Sequence, residues 1–171
     1  LAKLRPVFQK DGTVTAGNAS SLNDGAAAVV VASAAAVKEK GLTPMARVLA
    51  ITSHALEPKL VMYAPKGAIE ELLANVGWAV DDVDLFEINE AFACVTMAAM
   101  KDVGIDHAKV NVNGGACALG HPIGATGARI TTTLLHAMRA RGLKRGIATQ
   151  CIGGGEAVAV GDQDRLTSLA E

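Results

Sequence analysis

The stretch Asn111 to Ile130 limits what this chain can fold into more than any other. Gly114, Gly115, Gly120, Gly124 and Gly127 crowd into it, and one histidine, His121, stands between Gly120 and Pro122. Gly120 and Gly124 permit backbone shapes that a Cβ would forbid. Pro122 fixes its own φ and restricts His121 before it. A long amphipathic segment follows at once. The pattern sets one titratable ring on a tight turn at the mouth of a helix. Imidazole titrates near neutral pH, so a ring held this stiffly is a candidate for proton transfer or oxyanion binding.

The rest of the chain alternates between strand and helix patterns. Ala26 to Ala32, after the turn Asn23-Asp24-Gly25, reads as a buried strand. Ser33 is an N-cap for a short helix through Lys40, with Gly41 after it. Ala46 to Ala55 alternates as a second strand. A helix is expected from about Ala68 to Val76, after Pro65 and before Gly77, with Leu72, Leu73 and Val76 on one face. Asp84 to Ile88 reads as a strand, and Glu90 or Ala91 opens a helix to Val103. Val110 and Val112 flank a brief strand. Ala125 to Arg141 is the strongest helix, with Ile130, Leu134, Leu135 and Met138 on one face. Gly146 to Cys151 and Ala157 to Val160 read as strands joined by Gly153-Gly154-Gly155. This order predicts an α/β fold, a mixed sheet with helices on both faces. Such sheets place ligands where strands end and helices begin. Asn89, His121 and Cys151 all fall at such places.

Only 3% of residues are aromatic although half are hydrophobic, so the core must be packed from Ala, Val, Ile and Leu. The net charge of -1, with both signs interspersed, leaves no basic face, and nucleic acid is not expected as a partner. The apolar run Ala26 to Val37 is too short and too alanine-rich to span a bilayer, so no membrane is expected either. Three cysteines, an odd and sparse count, read as reduced thiols of a cytoplasmic protein. The chain enters mid-pattern at Leu1, which reads as a fragment or a processed piece.

Three places could carry chemistry. Asn89-Glu90-Ala91-Phe92 puts an amide at a strand end. It can hold a water or a carbonyl, or it can simply cap a helix with Glu90 in the first turn. Gly120-His121-Pro122 is the second. Gly115 to Gly120 has the spacing of a phosphate loop, but the Lys-Ser/Thr that must follow is replaced by His121-Pro122. No dinucleotide-binding glycine pattern stands at a strand–helix turn. Cys151-Ile152-Gly153-Gly154-Gly155 is the third: a thiol with bare backbone N–H groups behind it, which can shuttle a proton or face a developing negative charge, or else a buried inert cysteine. Cys117, His121 and Cys151 lack the spacing and the acidic surroundings of a metal site, so no metal is expected. Cys94 and Cys117 read as packing residues, and His54, His107 and His136 as surface residues.

Taken together, these three motifs in this order resemble the C-terminal half of a thiolase, over Lys3 to about Val160. Lys3-Leu4-Arg5-Pro6-x-Phe8 and Thr13 to Ser20 also resemble the segment leading into that half, the end of the loop domain that covers coenzyme A. The resemblance implies one half of an αβαβα layered fold, with residues 1–24 ending the loop region, 25–161 forming the C-terminal domain and 162–171 a solvated tail. It implies Claisen chemistry on acyl-CoA substrates, forming or cleaving 3-ketoacyl-CoA, with coenzyme A as substrate and no cofactor. Cys151 would be the acid/base cysteine, His121 would activate the nucleophile and donate to the thioester oxygen, Asn89 would hold the water completing that oxyanion hole, and the Gly153 amide would serve a second hole. Phe8, Ser20, Ala91 and Phe92 would line the substrate channel. The family's nucleophilic cysteine lies in the N-terminal half, and neither Cys94 nor Cys117 matches it. The chain alone is therefore expected to be inactive, with an N-terminal half as partner and a homo-oligomer as the assembly. Val61 to Ala68 departs from the family's usual pattern and keeps only Pro65 and Ala68 of it. A ketoacyl-synthase-like fragment and a non-catalytic half that binds CoA or dimerises are the rivals.

Overall fold

A computed structural model describes residues 1–164. Four strands form one mixed sheet in the order β1-β4-β3-β2. These are β1 (Ala46–Ala55), β2 (Leu85–Ile88), β3 (Arg145–Cys151) and β4 (Glu156–Asp164). β4 runs antiparallel to both β1 and β3, and β2 runs parallel to β3. The helices are α1 (Ala34–Glu39), α2 (Ala64–Val76), α3 (Ala93–Val103), α4 (Ala116–Leu119) and α5 (Thr126–Arg141).

The sheet is covered on both faces, as expected. Side chains alternate across a strand, and β2 shows the result. Phe86 and Ile88 join a core with Ile69, Leu72 and Leu73 of α2 and Val95 and Ala99 of α3. Leu85 points the other way, into a cluster with Ile130, Leu134, Ala137 and Met138 of α5. A strand buried on both faces reads as a continuous apolar run. β2 obeys this except at Glu87, which is buried on the α5 side.

Caps explain the helix ends. The Ser33 hydroxyl accepts from the Ala36 N–H at 3.2 Å and starts α1. Gly77 and Gly142 take left-handed backbone after α2 and α5. Pro65 lies within the first turn of α2, so that helix starts at Ala64 and not at Ala68; a proline there loses only an N–H with no helical partner. A 3₁₀ turn, Pro58–Tyr63, leads into it.

Four further expectations need correction. Ala26 to Ala32 is not a strand: Val30 is 92% and Val31 84% exposed. Strand propensity yields stable structure only against a paired neighbour, and this segment has none among the described residues. α3 starts at Ala93, not at Glu90 or Ala91, which takes Asn89 out of the cap position. Val110 makes one isolated bridge to Phe86, and no strand forms around it. β4 continues through Asp162, which is buried, so the solvated tail does not begin there. Residues 165–171 of that tail lie outside the described residues.

Candidate active site

Parallel pairing of β2 with β3 brings Asn89 and Cys151 to one edge of the sheet. Asn89 follows β2 directly, and its N–H donates to the Thr149 carbonyl at 2.9 Å. Cys151 is the last residue of β3. His121 reaches the same edge from the loop between α4 and α5: Asn89 Nδ2 and His121 Nε2 lie 3.4 Å apart. Gly120 before it has φ +95, a value reserved in practice for glycine, and a Cβ there would collide with the Asn23 side chain.

The N-terminal segment is stitched onto both motifs. The His121 N–H donates to the Ser21 carbonyl at 3.1 Å, and Leu22 bridges His121. Ser20 donates twice to the Ala91 carbonyl, from N–H at 3.1 Å and from Oγ at 3.0 Å. The Ala93 N–H donates to the Asn18 carbonyl at 2.8 Å. Phe8 meets Phe92 edge to face, with ring centroids 6.3 Å apart. Phe8, Ser20, Ala91 and Phe92 therefore gather into one strip. Gly153 stands apart from it, exposed on the hairpin beyond Cys151 with φ +142.

Burial sets the electrostatics. Asn89 is 1% exposed. Desolvation lowers the His121 pKa, and the Arg129 guanidinium adds to the effect. Desolvation raises the pKa of the Cys151 thiol, a bond from its own backbone works the other way, and Cys94 raises it further. A neutral imidazole and a protonated thiol are thus the resting forms near neutrality. In these forms the ring can accept a proton and the thiol can give one up.

Three polar residues of this edge escaped the sequence reading. Arg129 of α5 donates from an Nη to Asn89 Oδ1 at 3.4 Å. Thr126 Oγ1 lies 2.7 Å from His121 Nδ1. Glu87 has its pKa raised to about 7 by burial, with Arg129 opposing and Glu90 adding to the rise. The signal for Glu87 was a charged residue within an apolar strand run. For Thr126 and Arg129 it was polar residues at i and i+3 opening a helix whose other face is apolar.

The other candidates lie elsewhere or behave differently. Cys94 is exposed in α3, its thiol 3.7 Å from the Met62 sulfur, and so does not pack into the core. Cys117 is half-buried in α4, with its N–H donating to Glu90 Oε2 at 3.2 Å. His54 is no bare surface residue, since Nδ1 pairs with Glu71 at 2.6 Å. His107 and His136 are exposed. Among the described residues, no helix is long and apolar enough to cross a membrane.

Residues 42–161 match the model of the family "Thiolase, C-terminal domain", and residues 1–35 that of "Thiolase, N-terminal domain". The acetyl-CoA acetyltransferases of Thiocystis violacea and of Escherichia coli K12 are each 54% identical over 160 residues, which is 94% of this chain and 41% of theirs. The crystal structure of the Bacillus anthracis acetyl-CoA acetyltransferase superposes with a TM-score of 0.93 at 50% identity, over 95% of this chain and 41% of that one. Human mitochondrial 3-ketoacyl-CoA thiolase in complex with CoA superposes with a TM-score of 0.87 at 42% identity, again over 95% and 41%. The chain therefore spans about two fifths of the length of the curated relatives it matches.

Proposed function

As the chain belongs to the thiolase family, we propose that it forms the C-terminal catalytic portion of an acetyl-CoA acyltransferase. The observation that carries this is the meeting of Asn89 with His121 at the sheet edge where β3 delivers Cys151. Enolate chemistry needs a base beside the α-carbon and donors where an oxyanion develops.

In synthesis, the CoA thiolate expelled when the nucleophile is acylated takes the proton of the Cys151 thiol, and the Cys151 thiolate so formed takes the α-proton of a second acetyl-CoA. The carbanion attacks an acyl group held as a thioester on the nucleophilic cysteine. A C–C bond forms, the C–S bond breaks, and that cysteine leaves as thiolate. His121 removes the proton of the nucleophile before acylation and then donates to the thioester oxygen, together with a water held by Asn89. The Gly153 amide donates to the enolate oxygen. Phe8, Ser20, Ala91 and Phe92 face the pantetheine arm of CoA. The nucleophile itself comes from sequence outside these 171 residues, in an N-terminal thiolase portion. The exposed Val30 and Val31 support this, because an apolar patch left in water calls for a cover. The same patch is a reason to expect self-association in a homo-oligomer. Residues 1–24 act as the end of a CoA-covering loop region on the domain 25–161.

The test is thiolysis of acetoacetyl-CoA, first with this chain alone and then with a separately expressed thiolase N-terminal portion added. Turnover only in the mixture is expected. Cys151→Ala in the mixture should abolish Claisen exchange and spare acylation of the nucleophile. Turnover by the chain alone would move the nucleophile to Cys94, Cys117 or Cys151, and CoA binding without turnover in the mixture would make this a non-catalytic half.

A further inference from the structure

Four side chains at the site form one line of hydrogen bonds whose two ends cannot be reversed. Arg129 begins it, and a guanidinium only donates. Its contact at 3.4 Å must therefore fall on the carbonyl oxygen of Asn89, which leaves the Asn89 NH₂ facing His121 Nε2, also at 3.4 Å. An amide NH₂ can only donate there, so Nε2 must present its lone pair. The ring proton of a neutral His121 then sits on Nδ1 and donates to Thr126 Oγ1 at 2.7 Å. The Thr126 hydroxyl in turn donates to the Pro122 carbonyl at 3.0 Å, and a carbonyl only accepts. Reversing any one bond sets donor against donor or acceptor against acceptor somewhere along the line.

We propose that the first turn of α5 is a positioning device, in which Arg129 orients the Asn89 amide and Thr126 holds His121 as its Nδ1–H tautomer. Thr126 is fully buried, so no water can replace its oxygen, and the bond it accepts is not diluted by solvent. Burial and the Arg129 charge both keep the ring from taking a second proton. The long Asn89 contact leaves Nε2 only lightly engaged. An Nε2 lone pair is what removing a proton from a thiol requires, and in the other tautomer the ring could not serve as base at that nitrogen. The importance of the device for turnover rests on the role given to His121 above, but the position of the proton does not.

Nitrogen-15 NMR of the imidazole rings in this 171-residue chain reads that position without turnover, so it can fail while the acyltransfer reading stands, and the reverse. At pH 8 the wild-type His121 should show an unprotonated Nε2 and a protonated Nδ1. Thr126→Val should shift the tautomer ratio toward Nε2–H by roughly fivefold, the change set by losing one net hydrogen bond. Thr126→Ser should restore the wild-type pattern, which a purely packing role of the methyl group would not do. Arg129→Gln should shift the ratio in the same direction by freeing the Asn89 amide to flip. A protonated Nε2 in the wild type, or a ratio unmoved by Thr126→Val in a chain whose other amide resonances are unchanged, would overturn the proposal.

Discussion

Replacing Asp162 by Asn should change how the stability of this chain depends on pH. Asp162 sits in β4, is 2% exposed, and its Oδ2 has no hydrogen-bond partner among the described residues. Burial alone raises its pKa from 3.8 to about 6. The sign follows from proton binding. Between those two values the folded chain holds the proton and the unfolded chain does not, so stability falls as pH rises through that window. At 1.36 kcal/mol per pH unit the loss comes to about 3 kcal/mol by pH 7. Asparagine cannot ionise, so it avoids this loss, although it brings an amide whose own desolvation costs about 1–3 kcal/mol. That cost is the same at every pH and cancels in a difference. Urea unfolding followed by circular dichroism at pH 4 and pH 8 should therefore show Asp162→Asn gaining about 2.5 kcal/mol on the wild type between the two, since the unfolded chain is already half ionised at pH 4. In a chain of this size that is about 5–10 °C in Tm. A gain below about 1 kcal/mol would refute the reasoning, since it would mean that the carboxylate ionises in the fold at no cost.

Glu87→Gln should act in the same direction at higher pH. The Glu87 carboxyl titrates near 7 because burial outweighs Arg129, so the variant should gain most of about 3 kcal/mol between pH 5 and 8, read by the same unfolding series. Between pH 6.5 and 8 this gain is separate from that of Asp162, which is already ionised there. Gly155→Ala should destabilise more than Gly153→Ala. Both glycines have positive φ, but only at Gly155 would a Cβ run into backbone, the Leu56 carbonyl. About 1–2 kcal/mol is expected at Gly153 and clearly more at Gly155, and the reverse order in thermal melts would count against the close approach.

How legible each part was depended on whether its cause was local. Ser33 and Gly41 bracket α1, and alternation marks Ala46–Ala55 to the residue, because caps and periodicity act within a few positions. Asn89, His121 and Cys151 could be named as chemistry-bearing, and three of the elements around them were in place. Their convergence could not be derived from spacing, since it depends on β2 pairing parallel to β3 across a connection of more than fifty residues. Ala26 to Ala32 failed for the matching reason: its composition is that of a strand, but no neighbour pairs with it among the described residues. Thr126 and Arg129 were passed over as helix residues, because their roles exist only once Asn89 and His121 stand over them.

The hairpin that follows Cys151 is anchored at its base. The Leu56 N–H donates to the Gly155 carbonyl at 2.9 Å, so the turn is tied to the end of β1 just where the chain enters the 3₁₀ turn and α2. α2 buries Ala64, Pro65, Ala68, Ile69 and Leu72 against the sheet. Cys151 is thus tied, through one turn of chain, to a helix with seven buried residues, and Gly153 and Gly154 extend beyond that anchorage. In the acyltransfer reading proposed above, a thiol mounted this way would be a fixed point to which the substrate is brought. The largely exposed residues 1–17, which lie outside the bonds made by Asn18, Ser20 and Ser21, would be the part of the chain left to adjust on entry.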